Sequence, residues 1–416
     1  MDNRRTRLYP KRMPGPHVRF LDRSTPPHIV TLILLAGLSA LSMNVFLPSL
    51  PGMAEYFDAE YRIVQLSVAL YLACNAPLQV VIGPISDRYG RRPVILWAIA
   101  LFMIATLGCA LAPTIEIFLA FRMAQAVIVA GLVLSRAIVR DVVSQNEAAS
   151  MIGYVTMGMA LVPMIGPAFG GLLDSAFGWH SNFWLMLLLS VALFWLVWND
   201  LGETTKGRPA SFRDQFAEYP ELLTARRFWG YCLTAAFVSG AFFAYLGGAP
   251  YVGTEIFGLS PAQLGGFFGA PALGYALGNG ISGRYSARAG INPMILVGSV
   301  VTAGGLLLSL GLHYAGLKTV WAFFGCMTFV GFGNGLVIPN ATAGMLSVRP
   351  RLAGTASGLG GAMMIGGGAG LSALAGWVLG DGDSAAPLIW LMLLSSAAGV
   401  GAIAYTIRRE AQIRRA

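Results

Sequence analysis

Apolar runs long enough to cross a lipid bilayer alternate with short polar connections from residue 28 to residue 407. A spanning helix needs about 20 mostly apolar residues. Several of these runs are rich in Gly and Pro, which bilayer helices tolerate when neighbouring helices satisfy the freed backbone groups. The pattern predicts an all-α membrane protein with twelve spans, at 28–50, 62–83, 94–113, 115–137, 147–172, 180–200, 228–251, 262–283, 293–312, 319–342, 352–379 and 387–407.

The composition agrees with a bilayer as the solvent of this chain. Hydrophobic residues make up 56% of the sequence and charged residues 11%, and the mean hydropathy is +0.66. A soluble protein of this length needs more charge to cover its surface. The longest polar segments, 1–27 and 201–227, are too short for a soluble catalytic domain. The four cysteines all lie inside apolar runs and lack metal-ligand spacing, so we interpret them as buried hydrophobic residues.

The distribution of positive charge predicts the orientation. An even number of spans puts both termini on one side. Of the 28 Lys and Arg residues, Arg62 and Lys318 fall in loops on the other side, Arg122 lies within a span, and the remaining 25 share the side of the termini. The positive-inside rule makes that side cytoplasmic. The net charge of +9 then needs no nucleic-acid partner, and the basic N-terminus precedes an uncleaved first helix rather than a signal-peptide cleavage site.

A short internal repeat divides the chain into halves. "ISDRYG" at 85–90 returns as "ISGRYS" at 281–286, and each copy follows the second span of its half. We therefore expect two six-helix bundles around a central cavity, the parallel-repeat design of alternating-access transporters. The predicted divisions are a cytoplasmic tail (1–27), the N-terminal bundle (28–200), a cytoplasmic linker (201–227), the C-terminal bundle (228–407) and a second cytoplasmic tail (408–416).

Several motifs carry a resemblance to a known family. "GPISDRYGRRPVIL" at 83–96 resembles the signature loop between helices two and three of the major facilitator superfamily, and "FRMAQAVIVAG" at 121–131 resembles its fourth-helix motif. "GYVTMGMALVPMIGPAFGG" at 153–171 is similar to the fifth-helix motif of its drug–proton antiporters. "FLPSLPGM", "SRAIVRDVV" and "YLGGAPYV" look most like the Bcr/CflA branch of multidrug exporters.

The resemblance implies a monomeric secondary transporter of a bacterial inner membrane. It implies export of small amphipathic drugs by alternating access in exchange for protons, with no cofactor, no metal and no enzymatic reaction. An exporter or facilitator of an endogenous metabolite, with weak or no proton coupling, is the alternative. None of the three lysines lies in a phosphate-binding loop and no H-E-x-x-H occurs, which argues against an ATP-driven pump or a metalloenzyme. A receptor or scaffold on a transporter fold stays open.

The loop after the second span is the first candidate site. The C-terminal end of that helix carries partial negative charge, which favours nearby arginines but not an aspartate. We expect Asp87 to bridge to the N-terminus of the eleventh helix and to a nearby Arg, latching the halves when the inside is closed. Gly83 and Gly90 would give clearance. The alternative is a solvated loop that only sets topology. The predicted latch residues are Gly83, Asp87, Arg88, Gly90, Arg91 and Arg92.

The fifth span carries the second candidate. Gly166 and Pro167 predict a kink, while Gly170 and Gly171 allow another helix to pack closely. Gly153 begins the motif, but Val162 stands where the family pattern has a further glycine. Ordinary small-residue packing without a bearing on transport direction is the alternative.

Ionisable residues inside a membrane are functional candidates. None of the nineteen acids lies clearly at mid-membrane. Many Bcr/CflA relatives carry an Asp where this chain has Asn44, and an amide cannot cycle a proton. Arg122, roughly 10 Å into the fourth helix, is predicted to face the cavity, binding substrate or tuning a carboxylate such as Glu116, unless it extends to the interface. Glu116 is the best remaining candidate for the proton carrier. The alternative is that Glu116 is an ordinary carboxylate at the membrane surface.

Polar and aromatic positions complete the predicted cavity lining. Polar residues recur at helical spacing in several spans and should face inward, because buried amides need partners or water. Aromatic residues of the seventh span could stack on planar or cationic ligands. Interhelical bonding and ordinary core packing are the alternatives. The candidates are Tyr71, Asn75, Gln79, Gln125, Tyr275, Asn279, Asn334, Phe242, Phe243, Tyr245 and Tyr251.

The latch hypothesis predicts the behaviour of one conservative substitution. Asp87→Asn should shift the protein toward an inside-open state, because the amide keeps the shape but removes the charge that would hold the halves together. Accessibility of single cysteines to a membrane-impermeant reagent measures this shift. Unchanged accessibility would contradict the latch.

Overall fold

The computed structural model describes residues 18–142, 151, 155, 162, 165–205, 219–349, 353–380 and 382–415. Within these ranges the chain is helical and contains no strand. Several of the described turns between helices contain a glycine with positive φ, such as Gly90 at +97° and Gly290 at +85°. An all-helical architecture is therefore confirmed.

The N-terminal half contains helices α1 to α6. Two of them are interrupted by a 3₁₀ turn: α1 after Asn44 and α4 after Ala124. The bounds are α1 at Ile29–Asn44, Leu47–Ser49 and Leu50–Tyr56; α2 at Tyr61–Tyr89; α3 at Arg91–Ala110; α4 at Ile115–Ala124, Gln125–Ile128 and Val129–Val142; α5 at 165–177; and α6 at His180–Asp200.

The C-terminal half contains helices α7 to α12, preceded by a short helix at Tyr219–Leu223. Helix α7 continues into a π-helical turn after Pro250, and α10 begins with one. The bounds are α7 at Arg226–Tyr251 and Val252–Ile256; α8 at Pro261–Phe267 and Gly269–Ala289; α9 at Ile291–Tyr314; α10 at Trp321–Gly325 and Met327–Val348; α11 at Ala353–Leu379; and α12 at Ala386–Arg415.

Ten helical segments of the described chain are long and apolar enough to cross a membrane. They correspond to ten of the predicted spans. The fifth, 147–172, lies largely outside the described residues. The eighth, 262–283, is helical but is diluted by glycines and polar residues, so it is not one of the ten. Twelve crossings remain a prediction.

A carboxylate from beyond α6 caps the N-terminus of α3. Glu203 accepts hydrogen bonds from the backbone N–H groups of Arg91 (3.0 Å) and Arg92 (3.3 Å), and from those of Thr204 and Thr205. The first N–H groups of a helix lack internal partners and carry partial positive charge. A Cβ at Gly90 would overlap the Glu203 carboxylate, so the glycine allows both the turn and this contact.

A second carboxylate, Asp200, ties the segment before α1 to the end of α6. Its side chain is fully buried and accepts bonds from the backbone N–H groups of Leu21 (2.8 Å) and His28 (2.9 Å). The Thr31 hydroxyl donates to it at 2.6 Å. Residues 21 to 28 are therefore fastened to the helix bundle by one buried acid.

The C-terminal half repeats the cap in modified form. Glu410 near the end of α12 accepts hydrogen bonds from Asn292 Nδ2 (2.6 Å), in the first turn of α9, and from the Tyr231 hydroxyl (2.9 Å). Arg227 forms an ion pair with the same carboxylate. In each half, a carboxylate that follows or ends the last helix thus binds at the N-terminus of the third. This correspondence extends the sequence repeat to the packing of the helices.

The two halves contact each other closely at one end of the helices, in addition to contacts between α2 and α11 further along. We call the end with Arg91 and Arg227 the basic end and the other the opposite end. At the opposite end, Tyr61 donates to the Gly247 carbonyl at 2.8 Å, and Gln65 Nε2 contacts Ser372 Oγ at 3.0 Å. Backbones also meet there, because a Cβ at Gly171 would overlap the Pro261 carbonyl.

Two neighbouring glycines of α8 give a matched test of this contact. A Cβ at Gly265 would overlap the Pro167 carbonyl of α5, whereas a Cβ at Gly266 would have no atom within 4 Å. Overpacking typically costs about 1–3 kcal/mol, so Gly265→Ala should separate the halves and Gly266→Ala should not. Electron–electron distances between spin labels at Glu60 and Glu255, both exposed at this end, should lengthen only in Gly265→Ala. Equal distances in both variants would refute the contact.

The Glu203 cap predicts a pH-dependent stability. Burial alone would raise the pKa of Glu203, but the backbone N–H groups of Thr205 and Arg91 lower it below its usual value. A depressed pKa stabilises the fold above the ordinary glutamate pKa, about 4.3, and this contribution disappears as pH falls through the native value. Glu203→Gln should therefore lower the thermal unfolding midpoint at pH 7, with a difference that persists to about pH 4.3 and shrinks as the pH falls below that value. The exposed Glu55→Gln is the control.

Candidate functional site

The central polar feature of the N-terminal half is the guanidinium group of Arg122 on α4. The side chain is fully buried. Nη1 donates to Gln125 Oε1 at 2.8 Å and Nη2 donates to the Ser42 backbone carbonyl at 2.8 Å. The guanidinium carbon lies 4.1 Å from the ring centre of Tyr71 and 4.4 Å from that of Phe46. Arg122 therefore points into the bundle and does not extend to the lipid interface.

The interruptions of α1 and α4 create this site. The main segment of α1 ends at Asn44, so carbonyl groups of its last turn are available to side chains. Ser42 lies in that turn and its carbonyl accepts from Arg122. On α4 the 3₁₀ turn begins at Gln125, directly after the arginine's segment, and Gln125 reaches back to the guanidinium. Two helix breaks thus meet at one cation.

Neutral hydrogen bonds extend the cluster to α2 and α3. Gln125 Nε2 donates to Thr106 Oγ1 of α3 at 2.7 Å. The Tyr71 hydroxyl of α2 and the Ser42 hydroxyl lie 2.8 Å apart. These side chains are almost completely buried. We call Ser42, Phe46, Tyr71, Thr106, Arg122 and Gln125 the arginine cluster; it joins four helices.

The cluster holds a positive charge without a described counter-ion. No ion pair within 4.0 Å involves Arg122 in the part of the chain that the structure describes, and its Nε atom has no hydrogen-bond partner there. Among the undescribed residues of the fifth predicted span, Glu147 is the one acid, and residues 151 to 164 contain none. Each contact of the guanidinium with an aromatic ring stabilises the buried cation by about 2 kcal/mol. The free-energy cost of removing an ion from water, several kcal/mol, is larger.

The two predicted proton-carrier positions lie apart from the arginine cluster. Asn44 faces α5, where its Cβ is 3.8 Å from the position of a Cβ on Gly166. Its amide donates to the Ala40 carbonyl at 2.7 Å, and its own oxygen has no described partner. Glu116 is exposed in the first turn of α4, at the opposite end. The expected pairing of Arg122 with Glu116 is not made.

A polar ladder on α2 links the cluster to the other half. Below Tyr71, Gln79 Nε2 donates to Asn75 Oδ1 at 2.7 Å. Gln79 Oε1 lies 3.1 Å from the position of a Cβ on Gly361 of α11, so the ladder ends at a contact between the halves. The inward orientation expected for Tyr71, Asn75 and Gln79 agrees with this arrangement.

Polar candidates of the C-terminal half bond mainly to their own helices. Asn279 Nδ2 donates to the Tyr275 carbonyl at 2.9 Å, and Asn334 Nδ2 donates to the Val330 carbonyl at 2.9 Å. Asn334 also lies 3.4 Å from the Val238 carbonyl of α7. The structure therefore favours the interhelical or intrahelical bonding alternative for the two asparagines.

The aromatic candidates of α7 belong mostly to the core. Tyr245 is fully buried and packs against Phe242, Phe268, Phe323 and Phe324. Two further aromatic candidates contact other helices, Phe243 packing against Gly368 of α11 and Tyr251 against Tyr61 of α2. This arrangement favours the core-packing alternative for Phe243 and Tyr245.

The signature loop forms a charged network at the basic end. Arg91 Nη2 lies 2.6 Å from Asp87 Oδ1, and Arg91 Nε lies 3.2 Å from Asp141 Oδ2 of α4. Arg88 is exposed, while the Arg92 guanidinium donates to the Leu201 carbonyl at 2.8 Å. The expected Asp87–arginine pair is present. The bridge to α11 stays a prediction, because the first side chains of that helix lie outside the described residues.

The two glycines of the signature loop have different surroundings. Gly90 makes the turn with positive φ, as expected. No atom lies within 4 Å of the position of a Cβ on Gly83, so the clearance expected there is not used in this structure. Asp141 and Glu203 are functional partners of this loop that the sequence did not indicate, since both are distant along the chain.

The glycines of helix α5 allow close packing on two sides of the helix. A Cβ at Gly170 would overlap the Val45 carbonyl at the break in α1. Gly171 contacts α8 in the other half, as does the Pro167 carbonyl. The close packing expected of Gly170 and Gly171 is thus present, and Gly166 faces Asn44. Gly153 lies outside the described residues.

Comparison with known proteins agrees with this architecture. A family model described as Major Facilitator Superfamily matches residues 32–373. An uncharacterized MFS-type transporter of Bacillus subtilis, YdgK, is 37% identical over 258 residues, which cover 61% of this chain and 64% of that protein. A chloramphenicol resistance protein of Pseudomonas aeruginosa is 30% identical over 331 residues, 78% of each chain.

A solved structure supports the same fold. The crystal structure of the human organic anion transporter MFSD10 superposes with a TM-score of 0.69 at 18% identity, covering 91% of this chain and 98% of that one. At this identity the likeness concerns the fold alone. The matched family model, the repeated half and the signature loop lead to one conclusion: this chain is an integral membrane protein of the major facilitator superfamily, a family of transporters rather than enzymes.

Proposed function

We propose that this protein exports small amphipathic compounds across a bacterial inner membrane by alternating access between two six-helix bundles of a twelve-span fold, with both termini cytoplasmic. The observation that carries the proposal is the contact of the two halves at the opposite end. Backbone-to-backbone packing of α5 on α8 and the Gln65–Ser372 contact close that end. A polar ladder leads from the meeting of the halves to the arginine cluster.

The substrate class follows from the relatives. The similar Pseudomonas protein is named for chloramphenicol resistance, which makes an uncharged amphipathic antibiotic the natural first probe. Contacts between the halves would be exchanged as the halves rock: the contacts at the opposite end would open, while Asp87 at the basic end would form its bridge to the N-terminus of α11. The linker between the halves would remain cytoplasmic.

Proton exchange is the family's usual energy source, and we retain it in the proposal. A specific observation favours the second candidate, an exporter or facilitator with weak or no proton coupling. Asn44 replaces the acid expected on the first helix, Glu116 is exposed, and the arginine cluster contains no carboxylate. Coupling would then require an acid outside this cluster.

Chloramphenicol efflux from proteoliposomes, with and without an imposed pH gradient, tests the proposal. We expect the gradient to accelerate efflux in the wild type. Glu116→Gln should behave like wild type because the residue is exposed, whereas Asn44→Asp should show a steeper dependence on pH, since it restores a carboxyl group inside the bundle.

The outcomes separate the candidates. Flux that ignores the gradient in the wild type would select the uncoupled facilitator. Absence of flux for any compound, in liposomes with correctly folded protein, would select the receptor or scaffold. Loss of coupling in Glu116→Gln would restore that residue as the proton carrier.

A further inference from the structure

The arginine cluster has the chemistry of an anion site. Arg122 is permanently charged and fully buried, and its Nε atom has no hydrogen-bond partner in the described chain. Its contacts are a carbonyl oxygen, an amide oxygen and two aromatic rings, all of them uncharged. Buried charges are ordinarily paired with an opposite charge. Among the described residues this cation has no anionic partner, and an anionic group of a ligand would fit it.

The surroundings of the cluster carry further donors and further positive charge. Along the ladder toward the other half, Asn75 and Gln79 carry amide groups. Arg136 lies about four turns further along α4 and therefore on about the same face of that helix as Arg122. The sequence of the fourth span has no acid after Glu116 until Asp141, which pairs with Arg91.

Tyr71 stands between the ladder and the guanidinium. Its ring covers Arg122 at 4.1 Å, and its hydroxyl is held by Ser42. One rotation of this side chain would break its hydrogen bond with Ser42 and its cation–π contact with Arg122. It would open the guanidinium to a ligand that enters between the halves along Asn75 and Gln79. An anionic group of the ligand would replace the ring as the partner of Arg122.

We propose that the exported compounds include organic anions, with a carboxylate or sulfonate on an aromatic or apolar body, and that Arg122 binds this anionic group during transport. This inference rests on the proposed exporter function and names its substrate class. Like charge repels cationic compounds from the same site. Export of an anion is also favoured by an inside-negative membrane potential, so such a transporter needs no proton-carrying acid at Asn44.

Two dyes that share one ring framework test the charge preference. Fluorescein is anionic and rhodamine 123 is cationic, and both are xanthenes of similar size; chloramphenicol serves as the uncharged probe. In proteoliposomes without a pH gradient, wild-type protein should transport fluorescein roughly tenfold faster than rhodamine 123, the scale of one charged hydrogen bond. A potassium gradient with valinomycin, inside negative, should accelerate fluorescein export.

Three substitutions separate charge from structure. Gln125→Glu keeps an acceptor for the guanidinium but supplies it with a counter-ion, so the ratio of fluorescein flux to chloramphenicol flux should fall about tenfold. Arg122→Gln should lower the same ratio, and Arg122→Lys should restore part of it. The thermal unfolding midpoint of each purified variant, compared with wild type, shows whether the variant is folded.

The results that would overturn the inference are distinct from those that would overturn the exporter. Faster transport of rhodamine 123 than of fluorescein, or equal losses for all three probes in Gln125→Glu, would assign Arg122 a purely structural role. Chloramphenicol flux without fluorescein flux would reject the anion class alone. If none of the three probes is transported, the result contradicts both the exporter function and the preference for anions.

Discussion

In the N-terminal half, one hydrogen bond joins the interruptions of α1 and α4: the Arg122 guanidinium donates to the carbonyl of Ser42. A helix that is interrupted inside a bilayer leaves backbone groups without partners, and lipid offers none. The guanidinium supplies a donor at the break in α1, while the break in α4 turns Gln125 toward it. In return, the two interrupted helices shield the cation. Each of the three irregularities would be costly alone, and together they stabilise one another.

Side chains also bind at the ends of the helices. Each half places one carboxylate at the first turn of its third helix, Glu203 in the first half and Glu410 in the second. The partners differ: backbone N–H groups bind Glu203, whereas side chains of Asn292, Tyr231 and Arg227 bind Glu410. Glu203 thus satisfies N–H groups that a helix terminus leaves without partners, while Glu410 joins side chains of α7, α9 and α12. Symmetry of the halves is therefore clearer in the contacts than in the residues.

Much of the fold could be predicted from apolar run length and charge, which depend on local sequence. The bounds of most spans and the Asp87–Arg91 pair, four residues apart, follow from such local rules. The candidate functional site was harder to predict from the sequence. Whether Arg122 is buried depends on Phe46 and Tyr71, which reach it from other helices. Glu203 binds a residue 112 positions away, and Gln65 bonds across the two halves. No periodicity encodes those distances.

The contacts described between the halves at the opposite end join uncharged groups: a tyrosine hydroxyl, a glutamine amide, a serine, and glycines against carbonyl oxygens. Salt screens interactions between exposed charges, but it has little effect on such contacts. The contacts that close this end should therefore be equally stable at low and at high salt concentration. A cell whose surroundings change in osmolarity would keep this side of the transporter sealed without adjusting its surface charge.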